Sequence, residues 1–144
     1  MSRLKIVLPP AFSFSTKIPV RINDLNYGGH VGNDAILTFI HEARMQFLGN
    51  WGYSELDFAG VGLIMSDVMI EFKSELFYGD IVVASVVFGE FGKVGFDLFY
   101  KLEKEQNGKL IVVATSKTGM VCYDYQKKKV VPVPEQAKSK MISI

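Results

Sequence analysis

Residues 20–44, read V-R-I-N-D-L-N-Y-G-G-H-V-G-N-D-A-I-L-T-F-I-H-E-A-R, join a strand end to a helix start through a glycine-rich bend. No other stretch restricts the fold as much. Val20, Arg21 and Ile22 alternate as a strand does, and Gly28, Gly29 and Gly32 strip side-chain bulk from the bend so that the chain can turn tightly. Asn33 or Asp34 then offers an N-cap in front of an apolar-periodic run. The first turn of a helix carries N–H groups without intrahelical partners and a partial positive charge. It can therefore hold a carbonyl oxygen on which negative charge develops. Asp24, Asn26, His30, Asn33 and Asp34 are the polar side chains around that point.

Helical periodicity runs from about Asp34 to Asn50. Ile36, Phe39, Ile40, Ala43 and Phe47 fall on one side, Leu37, Leu48 and Trp51 flank them, and Thr38, His41, Glu42, Met45 and Gly49 lie opposite, as in a helix lying on a sheet. Arg44 projects close to the apolar stripe and requires an anionic partner, for which Asp24 and Asp67 are the candidates. Before the bend, Phe12, Phe14, Ile18, Val20 and Ile22 share one parity as the buried face of a strand, preceded by an arm that Pro9 and Pro10 end. After the helix, Leu63–Ser74 alternates, with Ile64, Val68, Ile70 and Phe72 on one parity and Asp67, Glu71 and Lys73 on the other. Tyr78-Gly79-Asp80 turns into a nearly continuous apolar strand, Ile81–Phe88, expected to be covered on both faces. Asn107-Gly108 is a hairpin turn between strands Val94–Lys104 and Lys109–Tyr125, and the lysines 127–129 with Pro132 and Pro134 close the chain. This order predicts an α+β fold over 1–144 as a single domain, one long helix packed on an antiparallel sheet of about five strands.

Composition excludes several function classes. Sixteen basic residues against fifteen acidic ones leave a formal charge of +1, which supplies no field to attract nucleic acid or an anionic membrane, so any bound anion must be held locally. The single cysteine, Cys122, cannot form an internal disulfide and lacks zinc-ligand spacing, and it reads as a small buried strand residue in a reducing compartment. No apolar stretch approaches the ~20 residues of a membrane helix, and Pro9 and Pro10 break up the short apolar N-terminus, so a cytoplasmic location is expected.

Asp24, Gly29, His30, Val31, Asn33 and the Ala43-Arg44 pair follow the order of residues in the hotdog-fold acyl-CoA thioesterases, the 4-hydroxybenzoyl-CoA thioesterase-like group, which segment 24–44 resembles. The resemblance implies a sheet curved around the helix and thioester hydrolysis without metal or redox cofactor. It also implies an acyl-CoA substrate and a site at the interface of a homodimer or dimer of dimers. It places the backbone N–H of Asn33 against the thioester oxygen. The family commonly carries D-x-D before the glycine, whereas this chain has Asp24, Leu25, Asn26. The second carboxylate is thus an amide, which orients water or a carbonyl but cannot act as a base at neutral pH.

Asp24 is then the first candidate base, with an ion pair to Arg21 or Arg44 as its plain structural alternative. Asp34 follows, although a first-turn aspartate is more often a helix-start stabiliser. His30 can position water or donate to the carbonyl. Tyr27, Gly29, Glu42 and Asp67 are expected to contact substrate, Glu42 only if a partner subunit covers it. His41 is expected at the surface, and its adjacency to Glu42 points the two to different sides of the helix, against metal ligation. Two other activities fit the same scaffold: a catalytically silent acyl-CoA-binding or sensing module, suggested by Asn26, and a hydroxyacyl-thioester hydratase or dehydratase, whose usual His-Phe-Pro or Asn-and-His signatures are not found.

Overall fold

The computed structural model describes residues 4–142. In chain order the elements are β1 (Phe14–Pro19), a short 3-10 turn (Ile22–Asp24), α1 (Asn33–Asn50), β2 (Gly62–Phe72), β3 (Ile81–Phe91), β4 (Gly95–Gln106), β5 (Lys109–Asp124), β6 (Lys129–Val130) and α2 (Glu135–Ile142). The sheet runs β1-β3-β4-β5-β2 with every pairing antiparallel, and the two-residue β6 adds to β5. α1 lies on one face of this sheet, against β1 and β3. Its apolar stripe is the expected one: Ile40, Ala43, Phe47 and Leu48 are wholly buried, against Val82, Ala84 and Val86 of β3 and Leu98, Tyr100 and Leu102 of β4 in one core. Removing a side chain such as Phe47 from this layer costs about 3–5 kcal/mol, because the helix has little else to hold it.

Five details differ from the sequence reading. The first strand ends at Pro19, and Ile22 is exposed because the 3-10 turn has already broken the alternation there. Neither Asn33 nor Asp34 caps α1: the N-cap is Gly32, which has no side chain to donate or accept. In β2 a bulge between Met65 and Asp67, fixed by the Ser66 hydroxyl on the Gly119 carbonyl at 3.0 Å, shifts the alternation by one. Ile64 therefore faces away from α1 while Val68, Ile70 and Phe72 face its side. Arg44 pairs with neither Asp24 nor Asp67; its partner is Glu55, from the loop that folds back after the helix. Finally, the chain continues past the prolines into α2, whose Ala137 and Met141 are wholly buried and whose Lys140 donates to the Trp51 carbonyl. Two apolar residues four apart in a lysine-rich stretch are a faint helical signal.

The arm before β1 has a definite path. Ser15, Ser85, Lys101, Thr115 and Glu71 form one row across five strands on the face away from α1. Phe12 lies under the Lys101 ammonium, and the Ile6 amide donates to Glu71 at 2.6 Å, so the segment crosses this row and covers the outer face of the sheet. The second cover expected over β3 is thus the chain's own N-terminal segment; residues 1–3 lie outside the described residues.

Candidate active site

The bend between β1 and α1 is held by its own backbone. Leu25 and Val31 form a bridge, the Asn26 amide donates to the His30 carbonyl at 2.8 Å, and the Gly29 amide donates to the Asn26 carbonyl at 3.1 Å. Gly29 has φ +83, which explains a glycine there. The Asn26 side-chain oxygen accepts the Gly28 amide at 2.9 Å, closing the ring from the inside. One further bond ties the bend to the body: the Val31 amide donates to the Leu76 carbonyl at 2.9 Å, in the segment that follows β2.

Two residues later the helix opens. The Ala35 and Ile36 amides turn back to the Gly32 carbonyl, whereas among the described residues the Asn33 and Asp34 amides have no backbone acceptor and no side-chain cap. Gly32 is constrained by space and not by its backbone angles: a Cβ there would stand 2.6 Å from Asp34 Oδ1 and 3.7 Å from the Asn26 Cβ. The bare amides are thus bordered by Asn26, Asp34 and the His30 ring, whose Nδ1 is 3.3 Å from the Val31 carbonyl. A hollow of about 270 Å³ opens here, lined by His30, Asn33, Ile36, Phe72, Glu75 and Leu76 among others. Chemically the helix start offers two uncommitted N–H groups at the positive end of an 18-residue helix. Of these two residues Asn33 lines the hollow, together with the His30 imidazole and the apolar side chains of Ile36, Phe72 and Leu76.

The structure gathers some of the expected residues and separates others. Asn26, His30, Asn33 and Asp34 stand together at the helix start. Asp24 is buried behind them, its Oδ2 accepting the Arg21 amide at 2.8 Å with the Arg21 guanidinium at 3.9 Å, the placement of a loop anchor. Tyr27 is fully exposed at the tip of the bend. Glu42 lies on another side of α1, where it accepts from Gln46 at 2.8 Å and lines a groove with Arg21 and Thr38. Asp67 is on the opposite face of the sheet. There Lys117 at 2.8 Å holds its carboxyl below the usual carboxylate range and is itself raised by Asp67.

His41 is exposed as expected but not idle: its Nε2 lies 2.6 Å from Glu55, which in turn holds the Nε of Arg44 at 3.2 Å. Arg44 Nη1 reaches the Tyr100 hydroxyl at 3.3 Å, and that hydroxyl meets Thr118 Oγ1 at 2.7 Å. Burial pushes the Tyr100 phenol up, so it stays protonated beside the cation. The sequence reading missed Glu55, and it missed the Phe72–Leu76 wall of the hollow. The wall carries no motif; only the pairing of Val31 with Leu76 brings it to the bend.

A model of the thioesterase-like superfamily matches residues 20–141. No curated protein matches the chain. Among solved structures, a thioesterase-superfamily protein from Jannaschia sp. CCS1 is 18% identical with a TM-score of 0.82, covering 94% of this chain and 84% of that one. A 1,4-dihydroxy-2-naphthoyl-CoA thioesterase from Synechocystis is 19% identical at TM-score 0.79, covering 91% and 96%. A 4-hydroxybenzoyl-CoA thioesterase, as an Asp-to-Asn mutant complexed with 4-hydroxybenzoyl-CoA, is 14% identical at TM-score 0.82, covering 91% and 99%. At such identities the likeness shows the fold: a sheet of this order wrapped on one long helix.

Proposed function

The chain belongs to the thioesterase-like superfamily, and from that premise we propose that it hydrolyses an acyl-CoA thioester at the start of α1, releasing the free acid and the CoA thiol. The observation that carries this reading is the uncapped pair of amides at Asn33 and Asp34 beside a hollow of about 270 Å³. The Asn33 N–H receives the oxygen of the thioester as it becomes an oxyanion, and the helix dipole adds to the stabilisation. His30 and Asn26 order the substrate and a water in the bend. Asp24 keeps the bend in register, and Asp34 borders the oxyanion position from the side of Gly32. Ile36 and Phe72 supply the apolar wall for the acyl group.

The working form is a homodimer, which in turn can pair as a dimer of dimers. Among the described residues β2 is an edge strand paired only with β5, and it exposes Val68 and Phe72 on the α1 side, where Phe72 lines the hollow, and Ile64 on the opposite face. An unpaired apolar edge is what a second copy covers best, and covering it closes the site against water. We place the protein in the cytoplasm, in keeping with its unpaired buried Cys122; no helix of the described residues is long and apolar enough to cross a membrane.

A thiol-release assay over short, long and aromatic acyl-CoAs, with light scattering to give the oligomer, tests the reading. Turnover of at least one class by a dimer or tetramer supports it. A second reading, an acyl-CoA-binding module without turnover, is motivated by Asn26, whose side chain is committed to Gly28 and carries no charge. Saturable acyl-CoA binding with no thiol released would establish it in place of hydrolysis.

A further inference from the structure

The hollow at the helix start needs a carboxylate. Of those expected from the sequence, Asp34 stands at the helix start but does not line the hollow, and the other three are occupied elsewhere. Asp24 is buried against the Arg21 amide, Glu42 faces a different groove, and Asp67 is bound to Lys117 across the sheet. We propose that Glu75, in the segment after β2, is the catalytic base. This assignment rests on the thioesterase reading above and names the group that activates water within it.

Three observations converge on Glu75. It is the one carboxylate among the described residues that lines the hollow with His30 and Asn33. Its side chain is exposed and makes no hydrogen bond among the described residues, so both oxygens are free to take a proton. Its backbone, in contrast, is fixed from both sides. Its carbonyl accepts the ammonium of Lys104 at 2.7 Å, and the next carbonyl, that of Leu76, accepts the Val31 amide two residues before Asn33. A free carboxylate on a rigid peptide, one residue from the carbonyl that accepts the Val31 amide of the bend leading to the oxyanion donor, has the placement a general base requires.

The step balances without a cofactor. The Glu75 carboxylate takes one proton from water as the water oxygen forms a bond to the thioester carbon, and the carbonyl electron pair moves onto the oxygen held by the Asn33 N–H. When the C=O re-forms, the C–S bond breaks and its pair leaves on sulfur. The thiolate takes the proton back from Glu75, and the acid product loses its own proton to solvent.

The test is kcat and KM of the full-length protein for its best acyl-CoA, with wild type, Glu75→Gln and Glu75→Asp compared and each variant's melting temperature recorded. The expected result is a fall in kcat of about 10²-fold or more for Glu75→Gln, the range for general-base catalysis. KM should stay within about threefold and the melting temperature should not change, with partial recovery in Glu75→Asp. A Glu75→Gln enzyme whose kcat stays within about threefold of an active wild type overturns the assignment and leaves thioester hydrolysis standing. A wild type that releases no thiol overturns both.

Discussion

The ammonium of Lys104 donates to the carbonyl of Glu75 at 2.7 Å, from a side chain that is nearly buried. The same ammonium lies 3.4 Å from Asp80 Oδ2 and 5.2 Å from the centre of the Phe77 ring, so one cation gathers the whole segment between β2 and β3. The first half of that segment, through Leu76, walls the hollow. Lys104→Met is expected to lower the stability to urea by about 1–3 kcal/mol, because a carbonyl and a carboxylate lose their partner. It should also lower kcat by about tenfold or more through misplacement of Glu75, with KM nearly unchanged. Urea denaturation and steady-state kinetics on the same preparation check both.

Arg44 is the buried cation of the helix, held by Glu55 at 3.2 Å and by the Tyr100 hydroxyl at 3.3 Å. Arg44→Met takes the buried cation from Glu55, leaving only His41 beside it, and is expected to cost about 3 kcal/mol. The double variant Arg44→Met/Glu55→Gln should recover part of that loss, as coupled residues do. The urea midpoints of the single and double variants measure the coupling.

Cys122 is buried in β5, and burial pushes its thiol up to about 11. Below that value the group stays protonated, and the thiolate is the reactive form. The native protein is therefore expected not to react with a thiol reagent at pH 8, and to release one equivalent on denaturation. Because the folded value lies above that of the unfolded chain, the native state binds the extra proton. This contribution to stability is complete below the unfolded value near 9 and fades as pH rises toward 11.

Much of this arrangement is legible in the sequence. The α1 stripe of Ile36, Phe39, Ile40, Ala43 and Phe47 is a local property of one helix, and the turn at Asn107-Gly108 declares itself by positive φ at both residues. The bend is legible too, because its glycines answer local requirements: φ +83 at Gly29, and crowding by Asp34 at Gly32. What could not be read depends on contacts distant in sequence. Arg44 required an anion, but Glu55 became its partner only through the path of the loop after the helix. Asp67 and Glu71 lie on the face that the alternation of β2 predicts, yet the bulge at Ser66 moved Ile64 onto that face as well. Glu75 has no motif around it and enters the site because Leu76 pairs with Val31, 45 positions apart in the chain.

The central claim is that the backbone N–H of Asn33 holds the developing oxyanion, and proline tests it in place. Proline suits the first helical residue, where the missing N–H costs the helix nothing. Gly32 before it is already extended, at φ −75 and ψ 161, as a residue preceding proline must be. The measurement is kcat/KM for thiol release by Asn33→Pro beside Asn33→Ala, with melting temperatures for both. The account expects Asn33→Pro to fold normally and lose about 10²–10³-fold, while Asn33→Ala, which keeps the amide, loses far less. An Asn33→Pro enzyme that turns over as fast as Asn33→Ala would contradict it.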